Sequence, residues 1–203
     1  RWLAGFAVAG VAAATGLLLG LGLWRLLPLA APAALLFAWQ AWQRRATRRQ
    51  IDHSTVNEVA TAAVMALGAS AAYLAAGHPW MPAIGLPWAA FALYFSGSVF
   101  YVKMRVHDAR SSAAPDERWR QGVICGLFHA GLGLVVACLF AAGWPNPQFG
   151  LFAGIALIPA IARAWIAWRR LDGRLPSLQR IGVLEFLFAT WFSCWLGMAL
   201  ASA

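Results

Sequence analysis

Two ionisable residues stand inside apolar runs near the end of the chain: Arg163 in "LIPAIARAW" and Glu185 in "RIGVLEFLF". A charge within hydrocarbon is costly, so such residues face a bundle interior or a cavity and pair with one another. Counted along a helix at 1.5 Å per residue, Arg163 lies about 9 Å before the basic residue Arg169, and Glu185 about 7–8 Å after Arg180. The two segments are antiparallel neighbours joined by a short loop, so the pair meets at one level. Such a pair closes a bundle, and the spacing favours that reading. The alternative is a polar pocket lined by Asn57, Glu58, Tyr101, Arg163 and Glu185. A proton relay would need a second acid deeper in the apolar run, and there is none.

Other polar residues fall into patterns. Tyr94, Ser98, Tyr101 and Arg105 are spaced 4, 3 and 4, one face of a helix, and form a stripe from mid-span to a basic loop. Asn57 and Thr61 share a face at the start of another helix, with Glu58 beside them. His129, between Phe128 and Ala130–Gly131, has small neighbours that would leave room for a haem or chlorophyll ligated by its imidazole. A b-type haem needs a second axial ligand at the same depth, and no other His offers one; a hydrogen-bonded core His is the plainer reading. His53 beside Asp52 and His107 beside Asp108 stand at helix ends. That composition suits a metal or phosphate site, although solvated loop residues are the default. Cys125, Cys138 and Cys194 are far apart in apolar runs, without a C-x-x-C, and read as inert thiols. There is no Walker loop, G-x-S-x-G, H-E-x-x-H or D-x-x-D pair. No residue is therefore assigned a catalytic or metal-ligating role, and enzyme activity is left open, with a non-enzyme favoured.

The elements that carry these residues are helices. The chain of 203 residues is 62% hydrophobic and 11% charged, with mean hydropathy +0.66. A soluble domain carries about 25% charged residues. The apolar residues come in blocks of about 20, the length that crosses roughly 30 Å of hydrocarbon. No period-2 segments of an outer-membrane barrel are present. The fold class is all-α: one polytopic transmembrane helical domain over residues 1–203. Seven helices are expected, over Trp2–Trp24, Leu26–Gln43, Ser54–Ala76, Ala83–Met104, Trp119–Ala142, Phe149–Trp168 and Ile181–Ala201.

Charge fixes the expected orientation. One set of loops holds Arg44, Arg45, Arg48, Arg49, Lys103, Arg105, Arg110, Arg118, Arg120, Arg169, Arg170, Arg174 and Arg180; the opposite set holds Arg25. By the positive-inside rule the basic side is cytoplasmic, in a bacterial inner membrane, and the C-terminus lies outside. The net charge of +9 is thus topogenic and touches anionic lipid; nucleic acid is not an expected partner. Trp80 and Trp144 suit the outer headgroup zone. No signal peptide precedes the first helix, and a segment before it is expected to be missing. Gly16 and Gly20, and Ala130, Gly131 and Gly133, are expected close-approach surfaces. Pro32, Pro87 and Pro159 are expected to kink three helices.

"ALYFSGSVFYVKMRVHD" (Ala92–Asp108), "LIPAIARAW" (Leu157–Trp165) and "LPSLQRIGVLEF" (Leu175–Phe186) resemble the YwiC-like family of bacterial membrane proteins. "RRQIDHSTVNEVATAA" (Arg48–Ala63) is similar to that family's stretch with an Asn-acid pair opening a helix, here Asn57–Glu58, and Glu185 takes the acid position of an Ile-Gly-x-x-Glu. The resemblance covers the third to seventh helices. Family members begin with a Glu/Gln-His-Gly-Ala-Trp stretch and two further helices that this chain lacks, so the resemblance implies about nine helices for an intact protein. That number is similar to UbiA-type prenyltransferases, whose aspartate-rich motifs are absent here. Two functions are consistent with the residues. The favoured one is an accessory or structural subunit of a larger bioenergetic (respiratory or photosynthetic) membrane assembly, with other membrane subunits as partners and lipid, pigment or haem bound. The other is a stand-alone transporter or a lipid- or prenyl-modifying enzyme with a cytoplasm-facing polar pocket.

Overall fold

The computed structural model describes residues 2–47, 55–79, 84–111, 117–144, 146–174 and 177–202. Among them the chain is all-helical, with seven main helices and no strand. α1 is Trp2–Thr15, running into a π turn at Gly16–Gly20; α2 is Leu27–Thr47. α3 is Thr55–Ala75, α4 Gly85–Arg110, α5 Val123–Ala142, α6 Pro147–Arg169 and α7 Leu178–Ala201. Helices α3 to α7 are long and apolar enough to cross a membrane. α1 and α2 are not. The α-helical part of α1 has 14 residues, and the second half of α2 turns polar in "WQAWQRRAT". The Arg48–Arg49, Asp52–His53 and Trp80 positions lie outside the described residues.

Local chemistry sets the boundaries. α6 begins at Asn146, whose side chain accepts from the Phe149 N–H at 2.8 Å, with Pro147 in the first turn. α7 begins at Ser177, whose hydroxyl oxygen accepts from the Arg180 N–H at 3.3 Å. Both satisfy helix-start donors that would otherwise have no partner. α5 ends at Gly143 in the left-handed region, φ 62°, where glycine carries no Cβ penalty. α5 starts later than expected, because Arg118–Gly122 forms a 3-10 turn first.

Pro32 and Pro159 stand inside α2 and α6 as expected. Pro87 does not interrupt α4: it lies in the first turn, where a missing N–H costs no intrahelical bond. The interruption the sequence did not announce is in α3, at Ala66. There the Trp88 indole N–H donates to the Ala63 carbonyl at 2.9 Å, and Ser70 Oγ donates to the Ile84 carbonyl at 3.0 Å, tying both sides of the interruption to the start of α4.

α4 is the hub. It packs against α3 on one side and against α5 and α6 on the other, while α7 lies along α6. The main core joins Tyr94, Leu132, Phe149, Ala156, Phe192 and Leu196 from four helices. Hydrocarbon gives helices no hydrophobic reason to associate, so close approach and van der Waals contact hold the bundle. The small residues that permit approach differ from those expected. A Cβ at Gly16, Gly20 or Gly131 would meet nothing within 4 Å, and one at Gly133 would have only ordinary contact. The close surfaces are Gly122 and Gly126, covered by the Trp168 indole, and Gly150, where a Cβ would lie 2.7 Å from the Phe140 Cα. Ala153, Ala156, Ala160 and Ala164 complete this set as a buried small-residue face of α6.

Candidate functional site

Arg163 and Glu185 meet. The Arg163 guanidinium (Nη1) pairs with Glu185 Oε1, and Ser98 Oγ donates to Glu185 Oε2 at 2.9 Å. The pair therefore ties α4, α6 and α7 at one level. The arginine is the more deeply sealed partner, its side chain 10% exposed against 23% for the carboxylate. Its guanidinium carbon sits 4.1 Å from the centre of the Tyr101 ring and 4.9 Å from that of Phe188, so two aromatic faces stand in for hydration. Nε and Nη2 of Arg163 find no hydrogen-bond acceptor among the described residues.

The five residues expected to line one pocket divide. Asn57, Glu58 and Glu185 line a cavity of about 1540 Å³; Tyr101 and Arg163 lie behind its wall. α4 forms the floor, through Ser98, Val99, Val102 and Lys103, with α3 on one side and Glu185 of α7 and Ile124 of α5 on the others. On the α3 side, Gln40 Nε2 from α2 donates to Asn57 Oδ1 at 3.0 Å and to Thr61 Oγ1 at 3.1 Å. Glu58 pairs with Lys103 Nζ at 3.0 Å across the α3–α4 seam. Basic side chains gather at one end of the cleft: His107, Arg110 and Arg120 line it there.

The helix-4 stripe has a different role from a path. Tyr94 is 2% exposed and stacks on Phe192, ring centres 4.3 Å apart. Tyr101 supports Arg163, and Arg105 is buried; of the four, only Ser98 reaches the cleft. The stripe is the seam between α4 and the α6–α7 hairpin. At its basic end Arg105 Nη2 donates to the Arg174 carbonyl at 2.8 Å and lies 3.7 Å from Asp172 Oδ1. Asp108 Oδ2 accepts from the Gly173 N–H at 2.9 Å, where Gly173 takes φ 71°. Asp108, expected to be solvated beside His107, is fully buried, and His107 is exposed. α4 is longer than expected because this clasp orders its last turn.

His129 is fully buried. Its Nδ1 bonds to the Cys125 carbonyl at 2.8 Å, and Nε2 faces Gly97, 3.2 Å from where a Cβ would stand. With Nδ1 carrying the proton, Nε2 presents a lone pair to the backbone of α4. A macrocycle centred on that nitrogen would occupy the space that α4 fills. Among the described residues, no three His, Cys, Asp or Glu side chains come together to hold a metal ion.

Two contributors went unseen in the sequence. Gln40 is signalled by a polar residue in the Trp-rich "AWQAW", but its partner is on another helix. Lys103 reads as one more topogenic charge until α3 packs beside it.

Over 111 residues, 53% of the chain, the sequence is 32% identical to a Bacillus subtilis (strain 168) protein described as uncharacterized protein YwiC. The matched region is 38% of that relative's length. This supports the YwiC resemblance over about half of the chain. No protein-family model matches, and no solved structure matches.

Proposed function

We propose that the protein is a membrane-embedded binding protein, of the transporter or lipid-modifying class, whose working site is the cleft over α4. The observation that carries this is the cleft itself: about 1540 Å³, with an amide–hydroxyl network on one wall, the Glu185 carboxylate on another and basic side chains at one end. Asn57, Glu58 and Glu185 give this cleft polar groups that a purely lipid-facing groove would not carry. By the distribution of Lys and Arg, the basic end faces the cytoplasm. The Arg163–Glu185 pair serves both readings of the sequence: Arg163 locks the hairpin behind the wall, and Glu185 shows the cleft a carboxyl group held in place by Arg163 and Ser98.

The test is ligand carriage. Protein extracted into nanodiscs with its own membrane lipid is denatured, and the released small molecules are identified by mass spectrometry. Wild type should release a polar or amphiphilic compound that Val99→Trp, which fills the floor of the cleft, does not carry. Equal release from both proteins, with the fold unchanged, overturns the proposal.

One feature favours the subunit reading as a second possibility. The α1 residues whose burial is described, Gly5 and Val8 to Thr15, are all exposed, so this part of an apolar helix is available to lipid or another membrane subunit. Copurification of a stoichiometric partner, lost when α1 is deleted, would support it; a monodisperse lone chain after gentle solubilisation would count against it.

A further inference from the structure

A second cavity, about 500 Å³, adjoins the cleft on the same side of α4, toward the opposite end of the bundle. The two share Met65 and Phe95 in their walls. The second is a groove with α3 and α7 as its sides and α4 as its floor, because α3 and α7 do not pack closely on one another. Its sides are small and apolar: Gly68, Ala69 and Ala72 face Ser193 and Gly197. The Ser193 hydroxyl donates to its own helix, at the Ala189 carbonyl, and so offers little to a polar ligand. A Cβ at Gly68 or Gly197 would meet nothing within 4 Å, so the groove has room. Tyr73 stacked on His78, ring centres 4.4 Å apart, stands at its far end. From Arg110 to Phe91 the floor runs 19 residues of α4, about 28 Å, close to the roughly 30 Å of a bilayer core.

The charges are arranged to match. Lys103 is matched by Glu58, and Glu185 by Arg163. Arg110 and Arg120 form no ion pair with any described residue, and both line the basic end of the cleft beside His107. Two adjoining spaces thus offer, in order along α4, two guanidinium groups with no ion-pair partner among the described residues, hydrogen-bonding walls, and an apolar groove. Guanidinium forks match phosphate oxygens.

Resting on the cleft as the working site, we infer that its ligand is a phosphate-bearing lipid, phosphate at Arg110 and Arg120 and hydrocarbon chain along the α3–α7 groove. Such a ligand enters laterally from the membrane and needs no aqueous passage through the bundle.

The experiment uses the full chain in nanodiscs and native mass spectrometry, with three probes: phosphatidylglycerol, diacylglycerol of the same chains, and glycerol phosphate. Wild type should retain one phosphatidylglycerol and no diacylglycerol. Arg110→Gln with Arg120→Gln should weaken retention by about 30-fold, about fivefold per charge removed. Gly68→Phe with Gly197→Phe, which fills open space and so preserves the fold, should also displace the lipid. If phosphatidylglycerol is retained equally by wild type and both double variants, it is annular lipid and the inference is overturned. If glycerol phosphate competes as well as the lipid, and filling the groove changes nothing, the ligand is a free phosphate compound: the lipid inference falls while the cleft stands. If Val99→Trp also binds every probe like wild type, the cleft reading falls with it.

Discussion

Glu185→Gln keeps the shape and the Ser98 hydrogen bond of the side chain and removes its charge. Arg163 is then left with two aromatic faces and no counter-charge, its side chain 10% exposed. Breaking a buried ion pair from one side costs about 3–5 kcal/mol; the Tyr101 and Phe188 faces hold the guanidinium in both proteins and so do not change the difference. The expected cost is at the lower end, about 3 kcal/mol, because the Glu185 side chain is 23% exposed. Arg163→Met should cost less, because the orphaned carboxylate faces the cleft and can hydrate there. Arg163→Met combined with Glu185→Leu should return to within about 1 kcal/mol of wild type, since replacing both charges removes the desolvation penalty along with the attraction. The assay is equilibrium unfolding in mixed micelles followed by Trp fluorescence, analysed as a double-mutant cycle. Equal costs for the two single variants would refute the asymmetry of exposure. A double variant as unstable as the sum of the singles would refute the pairing itself.

Gly150→Ala should destabilise by about 1–3 kcal/mol through overpacking, because its Cβ would lie 2.7 Å from the Phe140 backbone; Gly131→Ala, with open space around it, should be neutral or gain up to about 1 kcal/mol from helix propensity. The same unfolding assay checks both, and a reversed order would place the α5–α6 contact elsewhere. Asp108→Ala leaves the Gly173 N–H without its acceptor and should cost about 1–3 kcal/mol. The readout is faster proteolysis in the α6–α7 loop, with the rest of the bundle unchanged; an unaltered cleavage rate would mean that the clasp does not order the loop.

The helical class and the level at which Arg163 meets Glu185 were legible because both follow from one-dimensional rules: apolar block length, charge sorting and rise per residue. Asn57 and Glu58 could be placed at a helix start for the same reason. Lateral neighbours were not legible. Whether Tyr101 faced the cleft or backed Arg163 depended on the rotation of α4 against α6, which a spacing of 4, 3 and 4 leaves free. The glycine surfaces failed similarly: Gly131 and Gly126 both lie on α5, but only the Gly126 side meets an indole ring. Asp108 looked solvated because its loop partner, the Gly173 N–H, is 65 residues away in sequence.

The claim at the centre is that the cleft over α4 is reachable from the basic side of the bundle. Val99→Cys, in a background with Cys125, which lines the same cleft, and the exposed Cys138 and Cys194 all replaced by Ala, reports on its floor. A charged, membrane-impermeant thiol reagent is applied separately to inside-out vesicles and to right-side-out cells. The account predicts labelling of Cys at position 99 from the side of the basic loops, blocked by Val102→Trp, and none from the other side. Labelling only from the opposite side, or no labelling from either, would contradict it.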